Sequence, residues 1–308
     1  MKTKYIVFLL LFSQFIFAQN TNFSSQEIAI NKLIDGTLLT PNNESKQNLV
    51  IIIAGSGPTD RDGNQNFLKS NALKKLALGL TNNNIATFRY DKRIVKQIRK
   101  NKVDKNIMFD DFVTDAKAVI DYFKTNYAFK NIYVAGHSQG SLVGIIAAKD
   151  KADGFISIAG AGQAIDQVII EQIEKTAPMF IEDTKRIFGV LAEGKTTTNF
   201  PPALASIFNL DVQPFIANWM SYKPQEEIKK LEMPILIING TKDLQVSEAE
   251  AKLLNDAAKA STLEIIENMN HIMVPITGGD LENSKSYNET ARALSPELIE
   301  TITAFITK

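Results

Sequence analysis

Residues 136–140 read Gly-His-Ser-Gln-Gly, and the residue in that stretch able to do chemistry is Ser138. A serine hydroxyl is a weak nucleophile at neutral pH and needs a general base within hydrogen-bond reach. The chain has two histidines, His137 and His271. His137 adjoins the serine, and on a sharp turn its ring should point away from the reacting face, so it reads as a packing or hydrogen-bonding residue. By elimination the base is His271, in Glu-Asn-Met-Asn-His-Ile-Met. An imidazole in that role needs a carboxylate to orient it and to stabilise its positive charge. Asp243, in Gly-Thr-Lys-Asp-Leu-Gln-Val, stands 28 residues before His271 and is the candidate. Glu267 and Asp280 are also near His271 in sequence, but neither follows a strand in the right place.

Positioning these three groups requires a strand, a tight turn and a helix around Ser138. "NIYVA" (131–135) is an apolar run with the character of a buried strand, and "SLVGIIAAKD" (141–150) opens as a helix. Gly136 and Gly140 then fall where a Cβ would crowd the turn and the adjoining helix, the requirement of a nucleophile elbow. Similar short apolar runs ending in turn residues occur at 48–55, 84–90, 154–160, 234–240 and 261–267. "QEIAI" and "LIDGTLLTP" precede them as an opening antiparallel hairpin. Helical stretches alternate with the runs. Phe112, Ala116, Val119 and Phe123 fall on one stripe within 109–124, 247–260 starts at a plausible cap in Ser247, and 295–308 closes the chain. Strands alternating with helices imply an α/β fold: a mostly parallel central sheet, right-handed crossovers, and helices on both faces.

From about Gln163 to Leu231 no strand is evident and several helical patterns follow one another. An excursion of that length between two sheet strands is too long for a connecting loop, and it is expected to form a helical lid.

An acyl-transfer site also needs donors for a developing oxyanion. The backbone N–H of Gln139, the residue after the serine, is one candidate. The second lies in the loop after the third strand, "AGSGPTDRDGN", where the N–H of Ser56, or of a neighbour one residue away, is favoured. Asp60, Arg61 and Asp62 in that loop are expected to pair among themselves and with Asp91 and Arg93, ordering the loop, in preference to selecting a charged substrate.

Composition narrows the class. With 308 residues, 44% of them hydrophobic, the chain can bury one large core. Lys plus Arg and Asp plus Glu are both 34, so no basic footprint points to nucleic acid. Cysteine is absent and only two histidines are present, which excludes disulfides, thiolate ligands and a multi-histidine zinc site. Lys2 and Lys4 precede an apolar run broken by Ser13 and Gln14 and ending at Ala18. That run is shorter than a membrane span and is expected to be a cleaved signal over residues 1–18, leaving a mature domain at 19–308 that is secreted or periplasmic and not stably inserted in a membrane.

The segments "GSGPTDRDGN", "RYDKR", "GHSQGS", "GTKDLQV" and "NHIM", in that order and across most of the mature chain, resemble those of bacterial serine esterases of the α/β-hydrolase superfamily, similar to secreted carboxylesterases and the related serine aminopeptidase-like branch. The resemblance implies the α/β-hydrolase sheet, a Ser138–Asp243–His271 triad, an oxyanion hole near Ser56 and Gln139, and a lid at 163–231 over an acyl pocket. It also implies cleavage of a small-molecule carboxylic ester without a cofactor, with amide hydrolysis and acyl transfer as alternatives for the same triad. Many relatives have histidine where this chain has Ala54, and a glycine pair where "IVKQI" follows "YDKR". The second difference alters a loop beside the expected mouth of the site.

Overall fold

The computed structural model describes residues 22–43 and 46–308; the expected leader at 1–18 lies outside them. The chain begins with the antiparallel pair β1 (Phe23–Ala29) and β2 (Asp35–Pro41), then β3 (Leu49–Ile53). Helix α1 (Ala72–Asn82) leads to β4 (Ala86–Tyr90), followed by α2 (Arg93–Arg99) and α3 (Phe109–Asn126). Next come β5 (Ile132–His137), α4 (Gln139–Ala148) and β6 (Gly154–Ile158).

The excursion after β6 holds α5 (Ile165–Thr176), α6 (Ile181–Ala192), α7 (Ala205–Phe208), α8 (Gln213–Met220) and α9 (Pro224–Ile228). The chain then returns to the sheet through β7 (Ile235–Gly240), α10 (Glu248–Ala257) and β8 (Ser261–Ile266). It ends with α11 (Asp280–Ser286) and α12 (Pro296–Thr307).

The eight strands form one sheet in the order β1-β2-β4-β3-β5-β6-β7-β8. β2 runs antiparallel to both its neighbours, and every pairing from β4 to β8 is parallel. The order reverses about β3, so β5 starts in the middle of the sheet and its C-terminal end opens at the crevice where α/β sheets bind ligands.

The central strands are buried on both faces, as their unbroken apolar runs require. Period-two alternation divides their side chains. Ile51, Ile53 and Val134 pack with α3 and α4, whereas Val50, Ile52 and Ala135 pack with α1 and α12. Edge strand β8 instead alternates partly buried and exposed positions.

The helices after β6 have a small core of their own, built on Ile187, Phe188, Leu191 and Phe208. They dock on α3 through aromatic contacts: Trp219 stacks on Phe109 at 5.7 Å between centroids, and Phe215 meets Phe112 at 5.6 Å. The Tyr222 hydroxyl donates to Asp110 at 2.6 Å.

Two parts of the chain differ from the sequence expectation. "RIVKQIR" after "YDK" is helix α2, where a loop was expected. The segment has no helix breaker, and its Val95 is buried, so the residues that replace a glycine pair continue as a helical turn. Helix α11 interposes between His271 and the closing helix, and short polar stretches of that kind carry little periodic signal.

Candidate active site

Ser138 stands between β5 and α4 with φ 54° and ψ −122°. A non-glycine residue pays on the order of 1–3 kcal/mol for such backbone, which persists only where its surroundings over-determine it. Here the Ser138 N–H donates to the Ile158 carbonyl at 2.9 Å and its carbonyl accepts from Ser141 N–H at 2.8 Å. The flanking glycines are steric requirements. A Cβ on Gly136 would come within 2.1 Å of the Gly140 carbonyl oxygen, and one on Gly140 within 2.4 Å of the Ile53 carbonyl oxygen.

Asp243 sits in the turn that follows β7, its side chain fully shielded from solvent. Its Oδ1 accepts the N–H groups of Gln245 and Val246 at 2.8 and 2.9 Å, and its Oδ2 faces His271 Nδ1 at 2.8 Å. With Nδ1–H committed to the carboxylate, the other ring nitrogen, Nε2, is left as the basic atom. His271 and Ser138 line one cavity of about 130 Å³, and among the described residues the Ser138 hydroxyl makes no hydrogen bond.

The loop bearing His271 is braced to the loop bearing Asp243. Buried Asn270 donates to Asn283 Oδ1 and to the Ser286 hydroxyl, both at 2.9 Å, and Asn283 donates in turn to the Lys242 carbonyl at 2.7 Å. The two loops also touch directly at Gly240, where a Cβ would come within 2.0 Å of the Met269 carbonyl oxygen.

His137 is part of this assembly. Its Nε2–H donates to the backbone carbonyl of His271 at 2.8 Å, and the two rings lie 4.9 Å apart. Burial and the neighbouring imidazole push its pKa down to about 4, so it is a neutral donor at neutral pH.

Ser56 and Gln139 flank the serine from two sides. Ser56 shares both the 130 Å³ cavity and a larger one of about 380 Å³ with Ser138. Gln139 opens α4, where the first helical N–H groups have no intrahelical partner. The larger cavity runs beneath the helical insertion, with Leu142 on its floor and Val168, Ile169 and Trp219 on its walls. The Ser56 loop is tied down by its own side chains: the Thr59 hydroxyl and Gln65 Nε2 donate to the Ser56 carbonyl at 2.6 and 3.1 Å.

The Asp60-Arg61-Asp62 group forms ion pairs within the protein. Arg61 bonds Asp91 at 3.0 Å and also pairs with Glu27, and Arg89 bonds Asp62 at 2.9 Å. Asp60 Oδ1 accepts the N–H groups of Asp62 and Asn64 at 2.9 Å each. Arg93 is not in this cluster; it reaches α3 and pairs with Asp115 at 2.7 Å and Asp111 at 2.5 Å.

Sequence reasoning missed Lys92. It follows β4, is almost fully buried, and donates to the Gly55 carbonyl at 2.9 Å and to Gln139 Oε1 at 2.8 Å. Its ammonium lies 4.2 Å from the centroid of the Phe112 ring, and burial pushes its pKa down to about 7. The available signal was position: a lysine placed directly after a fully buried strand has little route to solvent. Asn270, Asn283 and Glu250 left no such signal, because their partners are remote in sequence.

The strand order, the elbow at the end of β5 and the acid and histidine after β7 and β8 are those of the α/β-hydrolase fold. A family model described as "Serine aminopeptidase, S33" matches residues 68–199. Esterase EstD of Thermotoga maritima is 25% identical over 260 residues, covering 82% of this chain. The chain spans 61% of that relative's length. Among solved structures, Est1E from Butyrivibrio proteoclasticus aligns with a TM-score of 0.57 at 18% identity, over 92% of this chain and 99% of its own. Dienelactone hydrolase from Anabaena variabilis aligns with a TM-score of 0.55 at 13% identity, over 93% and 98%. At those identities the likeness is one of fold. No helix among the described residues is long and apolar enough to cross a membrane.

Proposed function

We propose that the protein is a serine hydrolase that cleaves carboxylic esters of small molecules. The observation that carries this reading is the positive-φ serine on a strand–turn–helix elbow, sharing a cavity with a histidine whose Nδ1 is bonded to a buried carboxylate. In the proposed reaction the Ser138 hydroxyl attacks the ester carbonyl carbon while His271 Nε2 takes its proton. Asp243 stabilises the resulting imidazolium, and the N–H groups of Ser56 and Gln139 hold the negative oxygen of the tetrahedral intermediate. Collapse breaks the carbon–oxygen bond to the alcohol, which leaves with the proton from His271. A water then repeats the sequence on the acyl-enzyme, releasing the acid and restoring Ser138.

Each oxyanion donor of this kind is worth roughly 3–4 kcal/mol of transition-state stabilisation. The helical insertion is proposed as a lid, its Val168, Ile169 and Trp219 forming one wall of an acyl cavity of about 380 Å³. Nothing in the scheme calls for a cofactor. The names of similar proteins support ester chemistry: one relative is called an esterase, and ferulic acid has been bound to Est1E. The matching serine aminopeptidase model favours a second reading, amide cleavage by the same three residues.

The test is hydrolysis of p-nitrophenyl acetate, butyrate and octanoate beside amino-acid p-nitroanilides, by the wild type and Ser138→Ala. Ester turnover that vanishes in the variant supports the reading, and turnover of anilides alone moves it to the peptidase. Equal inertness of both proteins, with no fluorophosphonate labelling of Ser138, overturns it in favour of a binding protein on a hydrolase scaffold. We propose export through the residue 1–18 leader, checked by N-terminal sequencing of the mature protein.

A further inference from the structure

We propose that Lys92 is the positioning residue of the oxyanion hole, holding both donor-bearing peptides with one ammonium group. This rests on the serine-hydrolase reading above and adds to it a residue outside the triad. The geometry is specific. Gly55 C=O and Ser56 N–H belong to one peptide unit, and a trans peptide is planar with its carbonyl and N–H pointing in opposite directions. Grasping the Gly55 oxygen at 2.9 Å therefore aims the Ser56 N–H away from Lys92, and Ser56 lines a cavity together with Ser138. The same ammonium holds Gln139 Oε1 at 2.8 Å, restraining the residue whose N–H supplies the second donor.

The charge itself has no counterion. Among the described residues no carboxylate pairs with Lys92; its surroundings are the Gly55 carbonyl, the Gln139 amide and the face of Phe112 from α3. The charged groups nearest on the same cavity, Asp104, Lys105 and Asp211, stand at its wall, and Lys105 and Asp211 pair with each other at 2.9 Å. A buried cation without an acid costs stability. In its protonated form Lys92, bonded to the back of the Ser56 peptide, polarises that peptide and strengthens its N–H as a donor to an oxyanion that exists only in the transition state.

The experiment compares wild type with Lys92→Met, which keeps the apolar stem and removes the donors and the charge, and with Gln139→Leu, which removes one of the two acceptors. Steady-state kinetics on p-nitrophenyl butyrate are read alongside the rate of fluorophosphonate labelling and the thermal midpoint. Lys92→Met should lower kcat and the labelling rate together by ~10- to 100-fold, with KM within about two-fold and no fall in the midpoint. Gln139→Leu should lose less, and the double variant should be no slower than Lys92→Met alone. A Lys92→Met enzyme within about three-fold of wild type in both rates, or one altered only in KM, overturns the proposal. If Lys92→Met does not fold, Gln139→Leu decides: unchanged kcat and labelling overturn the proposal and a joint loss supports it. Retention of activity by Ser138→Ala would sink the hydrolase reading itself, an outcome separate from any of these.

Discussion

Glu250 on α10 grips Gln163 at the entrance to the helical insertion: Oε2 accepts the N–H groups of Gly162 and Gln163 at 2.7 and 2.8 Å, and Oε1 accepts Gln163 Nε2 at 2.7 Å. One buried carboxylate thus fixes the first residues that leave the sheet after β6. Glu250→Ala leaves these donors without their acceptor and should cost about 2–4 kcal/mol in denaturant unfolding. It should also raise KM for octanoate more than for acetate, because the cavity wall begins a few residues later. An equal change for both esters would separate Glu250 from the cavity.

Asp243→Asn keeps the size of the side chain but favours the wrong imidazole tautomer at His271. The expected result is a fall in kcat of about 10³- to 10⁴-fold on p-nitrophenyl butyrate, with an unchanged circular dichroism spectrum. A loss below ten-fold would remove Asp243 from the proposed mechanism.

Gly136 and Gly189 should respond oppositely to alanine. At Gly136 the new methyl meets backbone at 2.1 Å, so no rotamer change relieves it, and Gly136→Ala should cost more than about 3 kcal/mol or fail to accumulate as folded protein. Gly189 is exposed in the middle of α6 with nothing within 4 Å of a Cβ, so Gly189→Ala should stabilise by about 0.5–1 kcal/mol. Paired thermal melts check both signs.

His137 and Lys92, both held below their ordinary pKa values by burial, contribute to the pH dependence of stability. The ordinary histidine value is 6.5 and His137 is held at about 4, so between these the unfolded chain binds more protons and stability falls as pH drops, by up to about 3 kcal/mol. Lys92 is held at about 7 against an ordinary 10.5, so in that window stability rises with pH at about 1.4 kcal/mol per unit. Lys92→Met should remove the alkaline slope, and His137→Gln the acid one. Urea titrations from pH 4.5 to 9 read both, and an unchanged slope in either variant would assign it to other groups.

The strands were legible because burial on two faces demands continuous β-branched runs, as in Leu49–Ile53 and Ile235–Gly240, and almost nothing else produces them. The elbow was legible because a backbone this tight admits only glycine at 136 and 140. With two histidines in the chain, the choice of His271 followed by elimination, and the carboxylate after β7 followed from strand order. These are local or combinatorial constraints, and one chain suffices to state them.

Other features required the tertiary structure. That His137 holds the backbone of His271, that Lys92 spans the Gly55 and Gln139 segments, and that Asn270, Asn283 and Lys242 link the acid and histidine loops are contacts between segments far apart in the chain. Arg93 could be expected beside Asp91 from sequence, yet it turns to α3 because Asp111 and Asp115 lie one helical turn apart on a single face there. Sequence by itself determined the residue types and the order of elements, since hydrophobic periodicity and glycine sterics act on neighbours along the chain. The tertiary structure decided which buried polar groups meet, because a buried donor bonds whichever acceptor the packing of elements brings within about 3 Å.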